Sequence, residues 1–252
     1  MAGNIKSGVS IFGVNGNYAG SGGDTSIEDG LVTRQITSYT NNRITRVGDN
    51  AFYACSKLTT AIFPEVTAIG ISAFCNCWNL TTISFPKVTH INSNAFYSCS
   101  SLTTVSFPES SNIGNSAFYA CSKLTTAIFP KATYIYSYAF YKCSKLTTVS
   151  FPEVKFIYST AFNSCDALTT VSFPKATAIG FAFQKCYRLK SLYLTGSSVC
   201  TLSASNAFSS TPIGGYSNYT QTYGSIYVPT SLLASYKTAT NWAYFSSRFV
   251  GI

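Results

Sequence analysis

Apolar and polar positions along this chain recur with a period far longer than that of a single helix or strand. The pair Ala-Phe falls at Ala51-Phe52, Ala73-Phe74, Ala95-Phe96, Ala117-Phe118, Ala139-Phe140, Ala161-Phe162, Ala182-Phe183 and Ala207-Phe208. The interval is nearly constant at about 22 residues, except for the last, which is slightly longer. A period of that size predicts a solenoid, in which each repeat forms one coil stacked on the next. It argues against an enzyme built around a deep pocket.

Further positions are fixed within each coil. Three residues after each Phe stands Cys55, Cys77, Cys99, Cys121, Cys143, Cys165 or Cys186, with Thr211 in the eighth copy. Three residues on comes Leu58, Leu80, Leu102, Leu124, Leu146, Leu168 or Leu189. Thr-Thr, an apolar residue, a variable residue and Phe-Pro follow. The Phe-Pro pairs run from Phe63-Pro64 to Phe173-Pro174, and an isoleucine, from Ile69 to Ile179, follows five residues after each Pro.

The segment from Leu102 to Phe107 reads as a strand, with Val105 and Phe107 on one side and Ser106 on the other. Pro108 has no N–H and ends it. A second short extended piece leads to Ile113, and Ala-Phe-x-x-Cys turns the chain, read as one turn of helix. Each coil thus has two short strands and a tight turn. Like strands of successive coils lie parallel, ~4.8 Å apart.

The run Ile113-Gly114-Asn115-Ser116-Ala117-Phe118-Tyr119-Ala120-Cys121-Ser122-Lys123-Leu124 resembles the BspA-type leucine-rich repeats of bacterial surface proteins. The resemblance covers about residues 44–213 and recurs in register. It implies a leucine-rich-repeat-like right-handed solenoid of ~22-residue units, mostly β with short turns or 3-10 helix, and a role in adhesion or recognition. Members of the family bind varied partners, so the resemblance names none. The expected organisation is an N-terminal segment and linker at 1–30, a cap at 31–43, the solenoid at 44–213 and a C-terminal cap at 214–252.

Composition fits a chain whose every coil has an inside: 46% of residues are apolar and 10% charged. No apolar stretch approaches the ~20 residues of a membrane span. Met1-Ala2-Gly3-Asn4-Ile5-Lys6 is not followed by the apolar region of a signal peptide. An extracellular or cell-surface location then requires a removed leader or another export route. The segment from Asn4 to Tyr18 is similar to a short stretch of phage tail-associated proteins, which gives a virion as the alternative location. Ala19-Gly20-Ser21-Gly22-Gly23-Asp24 reads as a flexible linker. Leu31, Val32, Ile36 and Tyr39 are expected to form a strand pair over the first coil.

At the far end, Ile226-Tyr227-Val228-Pro229 matches a repeat strand after an insert rich in Gly, Ser, Tyr and Thr. Thr230 is expected to cap a helix over residues 231–237. Trp242, Tyr244, Phe245 and Phe249 are expected to cover the last coil, since an open sheet end would template aggregation.

Nine cysteines and a net charge of +9 each suggest a chemistry that the pattern then disfavours. Seven cysteines form one inward column beside Phe and Leu, where a free thiol acts as a small hydrophobe. Side chains in a parallel ladder point the same way, which disfavours bridging between coils. Cys75 breaks the column, in a slot that carries Tyr elsewhere, and is read as open to solvent. Cys200 stands alone near the distal end. Cys75-Asn76-Cys77 lacks the second pair a zinc site needs. The charge is compatible with non-specific nucleic-acid binding, but it is scattered near the Leu turn, and no specific nucleic-acid partner is expected. After each Pro stands Glu65, Lys87, Glu109, Lys131, Glu153 or Lys175, in strict alternation along a ladder; register and duplication of a two-coil unit account for this equally well.

No catalytic residue, cofactor or metal site is expected. His90, the single histidine, occupies a variable outward slot with no carboxylate near it in sequence. The outward strand slots carry Thr60, Thr82, Thr104, Thr126, Thr148 and Thr170, a smooth hydroxylated face. Two adjacent coils instead carry Tyr134, Tyr136, Tyr138, Phe156 and Tyr158, where other coils mostly hold Ala, Asn or Gly. Clustered aromatics mark a partner site, or else stack on one another along the solenoid. The leading expectation is therefore a non-enzymatic module that binds a host or bacterial surface protein, or a glycan, through a solenoid face.

Overall fold

The computed structural model describes residues 36–252 throughout and, nearer the N-terminus, only the backbone of residues 10–11, 14–15 and 26–27. Linker residues 19–24, together with Leu31 and Val32, lie outside the described residues. Ser10–Ile11 and Val14–Asn15 pair antiparallel.

From there the chain winds as a parallel-strand solenoid. One side of every coil carries a two-residue strand. Nine of these form one continuous sheet, from Ser26–Ile27 through Asn112–Ile113 to Thr201–Leu202. The opposite side carries strands of three or four residues in three separate segments. The first holds Ser38–Thr40, Thr60–Ile62 and Thr82–Ser84; the second Thr104–Ser106, Thr126–Ile128 and Thr148–Ser150. The third runs from Thr170–Ser172 through Ser191–Tyr193 and Ser225–Val228 to Phe249–Gly251. Ile83 and Val149, each in the last strand before a break, are half-buried, whereas Ala61, Val105, Ala127 and Val171 are buried.

The constant repeat period sets the register, because it brings each slot over itself: Thr104 pairs with Thr126 and Ile113 with Ile135. Identical rings therefore stack. The Ala-Phe phenylalanines form one column with centroids 4.8–5.6 Å apart and planes within 9° of parallel. The Phe-Pro phenylalanines form a second column at 5.2–6.3 Å and 14–18°. Rings of the two columns meet edge-on or tilted, as at Phe118 and Phe129, the arrangement aromatic quadrupoles favour.

Two segments depart from expectation near the first coils. Ser26–Ile27, within the stretch read as N-terminal segment and linker, adds a parallel strand beside Arg46–Val47. Ser38–Thr40 joins the next coil as a parallel strand. The Phe slot of that coil is Asn41, and Tyr39 compensates: its buried ring stacks on Phe63 at 5.3 Å, and its hydroxyl oxygen accepts from the Asn41 carboxamide.

The Ala-Phe turn is not helical. The residue before Ala has φ of 53–65° from Asn50 to Thr160, and the second residue after Phe has φ of 55–62° from Ala54 to Ser210. These left-handed residues swing alternate N–H groups outward. Asn50, Phe52 and Ala54 donate to the Ile71, Ala73 and Cys75 carbonyls of the next coil, while Tyr53 and Cys55 bond within their own. The turn thus acts as a third inter-coil ladder. Such backbone costs a non-glycine residue about 1–2 kcal/mol, offset by N–H groups that would otherwise be buried without partners.

The cysteine column is buried and unbridged. Each thiol from Cys77 to Cys186 donates to the carbonyl of the Phe in the preceding coil, at 3.0–3.3 Å. Burial drives these thiols well up from their ordinary range, to about 12 at Cys186. Cys75 is also buried, which corrects its expected exposure. Its side chain is smaller than the Tyr53 and Tyr97 rings in the same slot on either side, and it lies below the surface they define. The first Thr of most Thr-Thr pairs has a structural use as well: Thr81 Oγ1 donates to Thr59 O, Thr125 Oγ1 to Thr103 O and Thr147 Oγ1 to Thr125 O.

The Glu/Lys alternation resolves into three exposed pairs: Lys87–Glu65 and Lys131–Glu109 at 2.6 Å, and Lys175–Glu153 at 2.7 Å. Each lysine binds the glutamate of the preceding coil, so the column is a set of doublets. Exposed pairs of this kind contribute roughly 0–1 kcal/mol each.

The C-terminal end is covered by Thr230–Leu232, a 3-10 turn, the helix Leu233–Thr238 and a further 3-10 segment, Trp242–Arg248. Thr230 does not cap the helix: it begins the 3-10 turn, and its hydroxyl donates to Ile252 O. Trp242, Phe245 and Phe249 are buried against the last coil, but Tyr244 is 79% exposed and takes no part. Cys200 is the anchor. Its N–H donates to the Tyr236 hydroxyl, and its carbonyl accepts from Trp242 Nε1 at 2.6 Å. The Asn241 carboxamide donates to Leu202 O, on the last strand of the nine-stranded sheet.

Candidate binding surface

The five aromatic residues singled out in sequence lie on two adjacent coils. Strand pairing sets Tyr134 beside Phe156, and their rings stack at 5.2 Å and 7°. One slot further on, Tyr136 stacks on Tyr158 at 5.1 Å and 18°. Tyr134 and Tyr136 approach to 5.9 Å within their coil. Tyr138 projects beside these pairs and meets Tyr141 edge-on at 5.8 Å. Tyr134, Tyr136 and Phe156 are half-buried; Tyr138 and Tyr158 are exposed.

Backbone as well as side chains marks these coils as unusual. The slot of Tyr136 and Tyr158 is glycine at Gly70, Gly114 and Gly180. There a Cβ would come within 2.7 Å of the neighbouring coil's backbone at Gly114 and Gly180. Fitting two tyrosines into that slot requires the coils to adjust locally. Tyr138 sits at φ 61° and Thr160 at 65°, in the slot that is Asn or Ser in the four preceding coils. A bulky or β-branched residue is poorly suited to left-handed backbone, and such strain concentrates at functional sites.

A second aromatic column, not singled out in sequence as part of the surface, joins the first. Tyr97 stacks on Tyr119 at 4.5 Å, and Tyr119 on Tyr141 at 4.8 Å. Tyr141 links this column to Tyr138. Its signal was the recurrence of Tyr one residue after Ala-Phe. Burial raises the Tyr97 phenol above its ordinary range, and Tyr119 adds to the effect. Lys142 Nζ stands 5.3 Å from the Tyr141 ring.

The stacking decides what this surface can offer. In each parallel pair, one face of each ring is covered by its neighbour. The patch therefore presents the outer faces of the paired rings together with ring edges and phenol groups, and Tyr138 and Tyr158 are exposed.

His90 is exposed, and its Nδ1 lies 2.9 Å from Thr89 Oγ1. Among the described residues no three His, Cys, Asp or Glu side chains are grouped to hold a metal, and no helix is long and apolar enough to cross a membrane.

Stacked coils of parallel strands with a buried Leu and Phe spine define a leucine-rich-repeat solenoid. The BspA type leucine rich repeat region matches residues 33–133 and 111–227 in six copies, and the chain belongs to that family. Among solved structures, a leucine rich repeat protein of T. pallidum is similar with a TM-score of 0.57 and 28% identity, over 65% of this chain and 82% of its own. A leucine rich cell surface protein of Faecalibacterium prausnitzii gives a TM-score of 0.44 and 20% identity over 90% of this chain and 86% of its own. A leucine-rich repeat protein of Bacteroides ovatus gives 0.45 and 18% over 87% and 84%. No curated protein matches the chain.

Proposed function

We propose that this protein is a non-enzymatic recognition module, displayed outside its producing cell, that binds a surface protein of a host or neighbouring bacterium through Tyr134, Tyr136, Tyr138, Phe156 and Tyr158. The observation that carries this reading is the cluster of five exposed and half-buried rings on two adjacent coils, at slots whose counterparts mostly hold small residues. Tyrosine dominates interface hot spots because it brings large contact area and a polar tip at low entropic cost. Five rings spread over two coils make a broad patch, which suits the mixed apolar and carbonyl groups of a protein surface. The family supports recognition as the general role.

The test is an array of surface proteins and glycans probed with the intact chain and with a triple variant, Tyr134→Ser, Tyr136→Ser and Tyr158→Ser. Loss of two hot-spot contacts of about 2 kcal/mol each corresponds to a weakening of roughly 10²–10³-fold. Protein binding unchanged by the triple variant would move the site elsewhere, and capture of glycans alone would overturn the choice of partner. The alternative location, a virion, rests on the segment from Asn4 to Tyr18 and is checked by proteomics of purified phage particles.

A further inference from the structure

The eighth coil breaks the period, and its excess residues build a hollow against the solenoid. Its strands Ser191–Tyr193 and Ser225–Val228 pair directly, although the link from Tyr193 to Ser225 is more than half as long again as the link between like strands of a regular coil. The insertion leaves the ladder after Thr211 and folds back on itself through a bridge between Ser217 and Thr222. Thr211 Oγ1 donates to Phe208 O and accepts from Gly214 N–H, and Ser217 Oγ donates to Tyr187 O. These bonds tie the loop to the solenoid and leave a cavity of about 300 Å³ between them.

The lining is specific in character. Tyr187, Tyr216 and Tyr219 supply rings; Ser210, Asn218 and the backbone of Gly214 and Gly215 supply polar edges; no charged side chain is among them. The Asn218 carboxamide and the phenols of Tyr187, Tyr216 and Tyr219 make no hydrogen bond among the described residues, so their donors and acceptors are open to a ligand. Tyr219 leans on Tyr187 at 4.8 Å with the ring planes tilted by 30° and is 70% exposed, which leaves most of its ring open. Tyr216 meets Tyr223 edge to face, and Arg248 covers the Tyr223 ring at 3.7 Å and steadies that support.

We propose that this cavity is a second binding site, for one pyranose unit of a neutral glycan. A pyranose has an apolar C–H face and a rim of hydroxyl groups. The open tyrosine face takes the first, and Asn218, Ser210 and the glycine backbone take the second. The volume is at the small end of ligand sites, the size of a single ring and not of a chain. A planar aromatic ligand would need a slot between parallel rings, and Tyr187 and Tyr219 are tilted by 30° and only 4.8 Å apart. An anionic ligand would find no cation in the lining.

The experiment is saturation-transfer NMR on the full chain with the methyl glycosides of glucose, galactose, mannose and N-acetylglucosamine, and with N-acetylneuraminic acid as the acidic arm. At least one neutral glycoside is expected to give ring-proton transfer. That signal falls at least tenfold in Tyr219→Ala and in Asn218→Ala, and persists in the Tyr134, Tyr136 and Tyr158 triple variant. Tyr219 is mostly exposed, so its variant folds, and an unchanged thermal melt checks this. No transfer from any neutral glycoside, transfer that survives Tyr219→Ala, or transfer from the acidic sugar alone would each overturn the proposal. Transfer lost in the triple variant would also overturn it, by moving the sugar to the coil patch.

Discussion

The two aromatic regions of this molecule use the same side chains to opposite effect. Along the regular coils, each slot recurs once per repeat and its copies lie one strand spacing apart. That spacing is close to the distance at which two rings stack. Periodicity thus consumes ring faces: Tyr134 covers Phe156, and Tyr136 covers Tyr158. In the insertion after Thr211 no neighbouring coil stands in register, and Tyr216 and Tyr219 remain 56% and 70% exposed. The regular surface offers rings paired face to face, and the irregular one offers more exposed rings beside a cavity. An insertion that breaks a repeat therefore adds a kind of surface that the repeat itself does not make.

The comparison can be broken most severely at the end that supports the insertion. Trp242→Ala removes the indole that closes the last coil and its bond to Cys200 O. A cost of about 3–5 kcal/mol is expected in denaturant unfolding, together with loss of the sugar signal from the cavity. A Trp242→Ala protein as stable as the parent would show that the cap does not hold this end.

Extending the coil patch tests the ladder side. Gly114→Tyr places a third tyrosine beside Tyr136, where a Cβ would come within 2.7 Å of the Asn92 backbone carbon. Overpacking of this kind costs about 1–3 kcal/mol. Protein binding at the patch should tighten or hold while stability falls; a variant of unchanged stability would mean that the coils part without cost at this slot.

The thiol column gives a pH test of the regular region alone. Cys186 rises from about 9 to about 12 on burial, and the thiols of Cys77, Cys99, Cys121, Cys143 and Cys165 rise with it. Folding then favours the protonated form, so the native state holds more protons than the unfolded chain above pH about 9. Stability is complete below that pH and falls as pH climbs toward 12. Urea midpoints between pH 7 and 11 check the sign, and a rise across that window would contradict it. The nine thiols should all titrate after denaturation without reductant; three or fewer would refute an unbridged column. Cys121→Ala, which removes one bond to Phe96 O, is expected to cost about 1–2 kcal/mol. The smallest effect belongs to the exposed doublets, where Lys131→Ala should change stability by less than about 1 kcal/mol.

Much of this was legible along the chain, because a parallel ladder maps sequence period directly onto space. The inward Cys, Leu and Phe columns, the paired strands and the neighbours within the Tyr134–Tyr158 cluster all follow from counting one repeat forward. Local geometry did not follow. Ala-Phe-x-x-Cys suggested a helical turn, yet Ser, Asn and even Ala54 and Lys142 adopt left-handed backbone, since bonds to the next coil outweigh their own preference. Cys75 read as exposed because its slot holds tyrosine elsewhere, and only the depth of the surrounding surface shows it buried. Thr230 read as a cap, but the strand Phe249–Gly251 brings the distant Ile252 O to its hydroxyl.

By itself the sequence determined the architecture, the coil register and the contents of the spine, because each repeat is confined between two copies of itself. Tertiary structure alone decided which ring faces stay open, which thiols and hydroxyls spend their donors on a neighbouring coil, and that the irregular loop borders a half-open cavity. Those outcomes depend on distances between segments with no shared period, and no count along the chain contains them.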